Sequence, residues 1–276
     1  MGTLFYFLVS LLLGLLYITL FSLWVITPLN VLLWVILLLS GLVSAFILFF
    51  MVFAVLGYSL KSINPHNMKR HRFVNGVLRI GFNLLNVKLV VTGKEHIPPK
   101  GEKFVFVCNH QENYDIMAIK PIFKDHPLNF IAKEAVFSWP VLGPWIKVLG
   151  NVPIAREADR SAAESIVKGI KLYKAGVPMA IFPEGKRTFS NTMIDFKPGA
   201  FKLAMKPKAD ILIGTIYDFS KVFKGWPIIR QKIYLHFHPL LRYESYQEMN
   251  SIELSKHVKG IIQEKLDEYE KRLKSK

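Results

Sequence analysis

Residues 104–115 read Phe-Val-Phe-Val-Cys-Asn-His-Gln-Glu-Asn-Tyr-Asp, and this stretch decides the fold. Its first five residues are apolar and β-rich, which predicts a buried strand. Polar residues follow the strand, and a helical pattern begins near Asp115. A strand that runs through a polar turn into a helix is typical of α/β domains with parallel strands. Ligands of such domains bind at the carboxyl ends of the strands, which is where His110 lies.

Beyond this stretch the chain alternates short β-rich runs with helical ones. The predicted strands are 87–92, 104–108, 129–132, 151–154, 179–182, 211–216 and 233–237. The predicted helices are 115–123, 140–149, 160–175, 199–206 and an amphipathic helix over 251–274. This alternation predicts an α/β domain over residues 87–276, with a mostly parallel sheet flanked by helices. We expect the C-terminal helix to pack on the body, with membrane contact as the alternative.

The first 60 residues contain no Asp, Glu, Lys or Arg, although the chain of 276 residues has 36 basic and 20 acidic side chains. Two apolar runs, 4–26 and 31–56, flank a turn-forming Thr-Pro-Leu-Asn. As helices they would be roughly 35–39 Å long, enough to cross a hydrocarbon core of ~30 Å. A cleaved signal peptide would need a basic start and a shorter apolar run. We therefore predict an N-terminal two-helix membrane hairpin over residues 1–60; whether it spans the bilayer or lies in one leaflet stays open.

A basic linker or helix, residues 61–86, follows the predicted hairpin. Its Lys and Arg side chains include Lys61, Lys69, Arg70, Arg72 and Arg79. The positive-inside rule places this flank, and the body after it, on the cytoplasmic face of the membrane. The net charge of +16 also suits other anions, so a non-enzymatic module that binds nucleic acid or lipid is an alternative. The sequence carries no RNA-binding aromatic motif and the membrane accounts for the cations, so we expect no nucleic-acid partner.

His110 and Asp115 have the spacing of a base and its orienting partner. Asp115 lies five residues after His110, close enough to fold back on the imidazole. A carboxylate on one ring nitrogen fixes the tautomer and supports the charge that forms when the other nitrogen accepts a proton. The pair is therefore a candidate general base. The alternative is that Asn109 or Asp115 only caps the following helix.

Two further predicted strands end in cations. Residues 179–188, Met-Ala-Ile-Phe-Pro-Glu-Gly-Lys-Arg-Thr, run from a strand into a turn that presents Glu184, Lys186 and Arg187 together. Strand 151–154 leads to Arg156 in the same way. Cations at strand ends suit phosphate, which a planar guanidinium binds through two parallel hydrogen bonds. The alternative for residues 183–188 is a surface turn with solvated charges.

In this order and spacing, the three segments resemble the 1-acyl-sn-glycerol-3-phosphate acyltransferases, a family of glycerolipid acyltransferases. Asn109, His110 and Asp115 match the family's Asn-His-x4-Asp motif. Residues 182–187 match its Phe-Pro-Glu-Gly-x-Arg motif, and residues 150–156 approach its Gly-x-x-hydrophobic-hydrophobic-x-Arg motif. The resemblance covers roughly residues 87–216, and an N-terminal membrane hairpin also occurs in the family.

The resemblance implies transfer of a fatty acyl group from a thioester to the sn-2 hydroxyl of lysophosphatidic acid, giving phosphatidic acid. His110 would deprotonate the hydroxyl, and Asp115 would orient His110. The implied substrate-binding residues are Asn109, Arg156, Glu184, Gly185, Lys186 and Arg187. For Glu184, contact with the acceptor and support of the turn both stay open. The thioester, on coenzyme A or on acyl carrier protein, is already activated, so we expect no metal and no organic cofactor.

Two other chemistries compete on residue types alone. Cys108 and His110 would share a strand face as nucleophile and base, but a cysteine amid Val and Phe is usually inert. His236 and His238 would share a strand face as metal ligands, but no acidic or histidine cluster lies near them in the sequence. The single cysteine excludes a disulfide framework. Phosphate-loop, dinucleotide-binding and serine-hydrolase motifs are absent from the sequence.

Overall fold

The structure is a computed structural model that describes residues 9–16, 30–60, 62–155, 159–222 and 230–274. Within these ranges one seven-stranded sheet forms the centre of the body, with the strand order β1-β7-β6-β2-β5-β3-β4. Its strands are β1 (Val87–Thr92), β2 (Val105–Cys108), β3 (Asn129–Lys133), β4 (Val152–Ile154), β5 (Met179–Ile181), β6 (Ile211–Tyr217) and β7 (Gln231–Phe237). Neighbours pair in parallel except β6 and β7, which are antiparallel.

Helices cover both faces of the sheet and precede it. They are α1 (Asn30–Ser59), α2 (Met68–Leu84), α3 (Asp115–Ile119), α4 (Gly143–Val148), α5 (Asp159–Lys174), α6 (Pro198–Met205) and α7 (Ser251–Lys274). The prediction of a mostly parallel α/β sheet flanked by helices is confirmed, and the predicted strands differ from the observed ones by at most two residues at an end. The predicted helix 115–123 divides into α3 and a 3₁₀ turn, Lys120–Ile122, because Pro121 cannot donate a helical hydrogen bond.

Strand β2 is buried on both faces, as expected for the centre of a parallel sheet. Val105 and Val107 contribute to one core cluster, together with α5, α6 and α7. Phe106 and Cys108 contribute to a second cluster on the opposite face, beside α3. Because side chains alternate along a strand, the two clusters mark the two faces of the sheet.

The C-terminal helix α7 packs on the body, as predicted. Its buried stripe consists of Leu254, Val258, Ile262, Leu266 and Tyr269, all at most 3% exposed. These residues recur every three or four positions, which places them on one side of the helix. Their burial in the first core cluster accounts for the apolar periodicity of this segment.

Helix α1 is long and apolar enough to cross a membrane over Leu33–Ser59, and only 11% of its most apolar stretch is buried. Of the first predicted apolar run, 4–26, the structure describes residues 9–16, which are helical, and the rest of the run lies outside the described residues. Gly14 in that short helix lies against Gly41 of α1. The connection through residues 17–29 is outside the described part, so the two-helix hairpin stays a prediction.

The C-terminal part of α1 docks on the body through Trp145 of α4. The indole Nε1 donates a hydrogen bond to the Phe53 carbonyl at 2.8 Å, and the Phe53 and Trp145 rings stack at 5.0 Å. Gly57 permits this approach, because a Cβ there would lie 2.8 Å from the indole nitrogen. The bonds and stacking fix the direction in which α1 leaves the body.

Helix α2 occupies most of the segment predicted as a basic linker or helix, and it covers a buried lysine. Lys120 is 4% exposed; its ammonium donates to the Leu128 carbonyl and lies 3.1 Å from Nδ1 of His71 on α2. No carboxylate in the described part of the chain pairs with it. Burial lowers the pKa of Lys120 to about 7, and burial next to Lys120 lowers the pKa of His71 to about 3.

The lowered pKa of Lys120 makes the stability depend on pH. Between pH about 7 and the ordinary value of 10.5, the unfolded chain binds a proton at Lys120 that the folded chain does not. The free energy of unfolding therefore rises with pH across this window, with a slope that approaches ~1.4 kcal/mol per pH unit. Lys120→Met should lose that slope, whereas the exposed Lys124→Met should keep it. Urea unfolding at several pH values checks this, and an unchanged slope in Lys120→Met would contradict it.

Candidate active site

His110 lies directly after β2, at the carboxyl end of the strand, and bonds to Asp115 at the start of α3. The imidazole Nδ1 lies 2.7 Å from Oδ2 of Asp115. The Asp115 side chain is fully buried, whereas that of His110 is 18% exposed. Nε2 of His110 therefore remains as the ring nitrogen that can face a substrate, and no partner for it occurs among the described residues. The two predicted catalytic side chains are thus in the arrangement that the sequence indicates.

The Asp115 carboxylate is itself held in place by the backbone before α3. It accepts hydrogen bonds from the N–H groups of Gln111, at 2.7 Å, and Glu112, at 3.1 Å. These bonds tie the turn after β2 to the first residue of α3. The donors precede the helix, and the N-cap residue Tyr114 makes no side-chain cap bond, so the Asp115 carboxylate orients the histidine and does not cap α3. On the other side, the Phe182 ring stacks on the imidazole with centroids 4.3 Å apart. The ring of His110 therefore has one orientation.

Glu184 is buried, at 2% exposure, and both of its carboxylate oxygens accept hydrogen bonds from backbone N–H groups. Oε1 accepts the His110 N–H at 2.8 Å, and Oε2 accepts the Ile194 N–H at 3.2 Å. Burial raises the pKa of this carboxyl above its ordinary value, although the two N–H groups oppose the shift. Of the two roles left open for Glu184, this geometry supports the structural one, in which the carboxylate positions residues 109–112, the turn after β2 that we call the catalytic turn.

The loop after β5 is joined to the catalytic turn along its length. The Thr188 N–H donates to the His110 carbonyl and the Phe189 N–H to the Gln111 carbonyl, both at 3.1 Å. Gly185 adopts a left-handed φ of +68°, which permits the tight bend of the backbone between Glu184 and Thr188. The two sequence motifs therefore form a single structural unit around His110.

Asn109 and Gln111 attach this unit to β6. The buried Asn109 amide donates to the Ile216 carbonyl at 2.9 Å and accepts the Ile216 N–H at 2.7 Å. Gln111, also buried, bonds to the Ile216 carbonyl and to the Phe219 N–H, each at 2.9 Å. Asn109 was predicted to bind substrate, but its bonds to β6 indicate a positioning role instead. Gln111 is a residue that sequence reasoning missed, since its role depends on a strand more than a hundred residues away.

A cleft of about 700 Å³ opens beside His110, between the sheet and helices α5 and α6. Its walls are mainly apolar, including Ile131, Ile154, Ile166 and Phe182. A volume of this size can hold an elongated apolar group in addition to a small polar one. His110 therefore lies at the edge of an apolar cavity.

The cations lie differently from the sequence-based prediction. Neither Lys186 nor Arg187 is among the described residues that line the cleft. Lys186 is exposed, and the Arg187 guanidinium lies over the Phe189 ring, 4.8 Å from its centroid. Arg156 is outside the described residues. The cations that line the cleft with His110 are Lys133, Lys197, Lys202 and Lys206.

Lys197 is the most notable cation that sequence reasoning missed. Its side chain lies 3.1–3.4 Å from where a Cβ of Gly185 would stand, so Gly185 gives it room beside the catalytic turn. Its own N–H donates to the Pro183 carbonyl at 2.9 Å. The only sequence signal for it was its place just before helix α6.

The two competing chemistries find little support. Cys108 is fully buried, and burial raises its pKa well above the ordinary range, so the thiol stays protonated. His236 and His238 bond to the hydroxyls of Thr92 and Thr215 at 2.8 Å. Among the described residues, no group of three or more His, Cys, Asp or Glu side chains could hold a metal ion.

Comparison with known proteins places the same stretch in one family. Residues 88–218 match the family model described as Acyltransferase. The chain is 30% identical over 196 residues to the 1-acyl-sn-glycerol-3-phosphate acyltransferase of Borreliella burgdorferi, covering 69% of this chain and 76% of that protein. It is 27% identical over 175 residues to the chloroplastic 1-acyl-sn-glycerol-3-phosphate acyltransferase LPAT1 of Arabidopsis thaliana, covering 63% of this chain and 49% of that protein.

A solved structure has the same fold. The crystal structure of the 1-acyl-sn-glycerophosphate acyltransferase PlsC from Thermotoga maritima superimposes with a TM-score of 0.64 at 24% sequence identity. The match covers 80% of this chain and 89% of that one. The similarity therefore extends beyond the residues that the family model matches.

Removing the Glu184 carboxylate should destabilise the fold. Glu184→Ala leaves the partly buried N–H groups of His110 and Ile194 without their acceptor, at up to about 1–3 kcal/mol for each. The exposed Glu102→Ala serves as the matched control and should change the free energy of unfolding by less than about 0.5 kcal/mol. Urea unfolding of both variants measures the difference. A Glu184→Ala protein as stable as the control would show that the carboxylate is not needed to hold the turn.

Proposed function

Because the chain belongs to the 1-acyl-sn-glycerol-3-phosphate acyltransferase family, we propose that it moves a fatty acyl group from a thioester to the sn-2 hydroxyl of 1-acyl-glycerol 3-phosphate. The product is phosphatidic acid, an intermediate of phospholipid synthesis. The observation that carries this proposal is the bond between His110 and the buried Asp115 at the edge of an apolar cleft.

The reaction follows from the free nitrogen of His110. Nε2 takes the proton of the acceptor hydroxyl while Asp115 supports the imidazolium that forms. The alkoxide attacks the thioester carbonyl, the carbon–sulfur bond breaks, and the leaving thiolate takes the proton back from Nε2. General base catalysis of this kind is typically worth 10²–10⁴ in rate. The acyl group is already activated by its thioester, so the chain's own residues are sufficient for each step.

The substrates divide between the cleft and the cations around it. The isoleucine-rich walls suit a fatty acyl chain, whose burial is worth ~0.8 kcal/mol for each methylene. The acceptor phosphate carries roughly −1.5 to −2 charge at pH 7 and needs cations. Arg187, Lys186 and Arg156 remain our candidates from the sequence, and the cleft adds Lys197 and Lys133 to them.

The acceptor and the product are membrane lipids, which accords with the exposed apolar helix α1. Its docking through Phe53 and Trp145 holds the body next to the end of the helix. By the positive-inside rule, the basic residues that follow α1 support a cytoplasmic location for the body. Coenzyme A and acyl carrier protein both present the acyl group as a thioester, and either can serve as donor in this scheme.

The catalytic pair is tested by substitution in the full chain purified in detergent. His110→Ala should abolish formation of phosphatidic acid from lysophosphatidic acid and an acyl thioester. Asp115→Asn should lower kcat by up to several powers of ten, because the tautomer is no longer fixed. Cys108→Ala is the matched control, since it alters a neighbouring buried side chain outside the mechanism. Near-normal turnover in His110→Ala would refute the assignment of the base.

The phosphate contact is tested by separating the two KM values. Arg187→Ala should raise KM for lysophosphatidic acid about 10–150-fold, the worth of a lost charge-assisted contact, and leave KM for the thioester unchanged. Arg187→Lys should recover only part, because an ammonium cannot form two parallel bonds. Lys197→Ala measured alongside shows which cation carries the phosphate. A raised thioester KM with an unchanged acceptor KM in Arg187→Ala would assign this cation to the other substrate.

A further inference from the structure

A second concave surface, which we call the basic groove, lies on the other face of the sheet from the cleft. It encloses about 700 Å³ beside the edge strand β1 and helices α2 and α3. Its floor is apolar and includes Phe82, Val87, Leu89 and Met117, which belong to or pack against the second core cluster. The cleft beside His110 is lined instead by members of the first cluster, such as Ile131, Ile166 and Ile181. The two concavities therefore flank the sheet.

The rim of the basic groove is strongly cationic. Its Lys and Arg side chains are Arg79, Lys88, Lys94, Lys100, Lys124 and Arg230. None of them is within 4 Å of a carboxylate in the part of the chain that the structure describes. Asp125 is the carboxylate among the lining residues, and it pairs with Arg72 at 3.6 Å. Unpaired like charges around one groove repel each other, so the arrangement favours a bound anion.

One end of the basic groove lies at the end of the sheet where His110 stands, whereas Lys94 and Lys100 follow the carboxyl end of β1 and lie toward the opposite end. Strand β7 runs antiparallel to β6, with Tyr234 opposite Tyr217, so Gln231 and the adjacent Arg230 lie beyond the carboxyl end of β6. Val87 pairs with Gln231 and lies at that edge too. Strands β7 and β6 lie between β1 and β2, so the distance from β1 to β2 is three strand spacings, or ~14 Å. Helix α3 joins the two places, since Asp115 orients His110 while Met117 lines the basic groove.

We propose that the basic groove binds the phosphorylated adenosine end of a coenzyme A thioester. This inference rests on the proposed acyl transfer and names the donor for it. The adenosine carries a 3′-phosphate and a diphosphate, which match the cationic rim, and a flat apolar base, which matches the floor. The pantetheine arm between the diphosphate and the sulfur is about as long as four extended residues, ~14 Å, and so reaches from the groove to His110.

The shape of the groove favours a nucleotide over the other anions that a cell offers. A concave site of several hundred Å³ with an apolar floor is typical of small-molecule binding. The acidic surface of a carrier protein or an anionic bilayer would need a wide, convex or flat cationic face. The adenosine end of the donor would then lie on one face of the sheet and its fatty acyl chain on the other.

The test uses the full chain in detergent and adenosine 3′,5′-bisphosphate as the probe, at one fixed low salt concentration. The groove variant is Lys88→Glu with Lys124→Glu. The matched control is Lys256→Glu with Lys271→Glu, which makes the same charge change at exposed lysines of α7. Equilibrium dialysis should show that the groove variant binds the probe at least tenfold more weakly than wild type, while the control binds it within about twofold. KM for acyl-coenzyme A should rise in parallel, with kcat and KM for lysophosphatidic acid unchanged.

Several results would overturn the assignment. The probe could fail to bind wild type, or bind both double variants alike. Transfer from acyl carrier protein, with its KM raised by the groove variant and no probe binding, would identify a protein-docking surface. Loss of binding to phosphatidylglycerol vesicles without any probe binding would identify a lipid surface. Failure of the proposed function is distinguishable, because it abolishes transfer from every donor and leaves the dialysis measurement intact.

Discussion

The site depends on one hydrogen bond, from Nδ1 of His110 to the buried carboxylate of Asp115. A carboxylate with no exposed surface is costly to ionise unless its oxygens are used, and here the N–H groups of Gln111 and Glu112 use them as well. The buried carboxylate of Glu184, in the neighbouring loop, is satisfied in the same way, because its oxygens accept hydrogen bonds from the N–H groups of His110 and Ile194. Two buried carboxylates thus hold the catalytic turn by its backbone, and the position of the imidazole follows from them.

The sheet gives these bonds a rigid frame. Strand β2 is central, and Asn109 and Gln111 continue its attachment to β6 past the end of the strand. The apolar cleft lies on one face of the sheet and the basic groove on the other, and His110 stands beside the cleft at the end of the sheet where one end of the basic groove lies. Helix α1 precedes the sheet in the chain, and the Trp145 indole fixes it to the same body. The apolar helix α1 and the candidate catalytic residues therefore belong to one packed unit.

Much of this could be predicted from the sequence, because alternating apolar runs and local motifs depend on neighbouring residues. The strands, the fold class and the proximity of His110 to Asp115 are of this kind. The antiparallel pairing of β6 with β7 was not predicted, although a parallel neighbour would need a crossover of a dozen or more residues, usually a helix, and no helix was predicted there. The bonds of Gln111 to Phe219 and the place of Lys197 beside Gly185 depend on distant segments, which no local pattern reveals. For the same reason Asn109, a motif residue, was read as a ligand when its amide is occupied by β6.

The central claim is that Asp115 leaves Nε2 of His110 as the unprotonated ring nitrogen. Nitrogen-15 NMR of histidine-labelled protein in detergent measures this directly, with the His110 signals assigned by their disappearance in His110→Ala. For the neutral ring, the account predicts a proton on Nδ1, shifted downfield by its bond to the carboxylate, and a bare Nε2. In Asp115→Asn that downfield proton should be lost. A His110 ring that carries its proton on Nε2 in the wild-type protein would contradict the account.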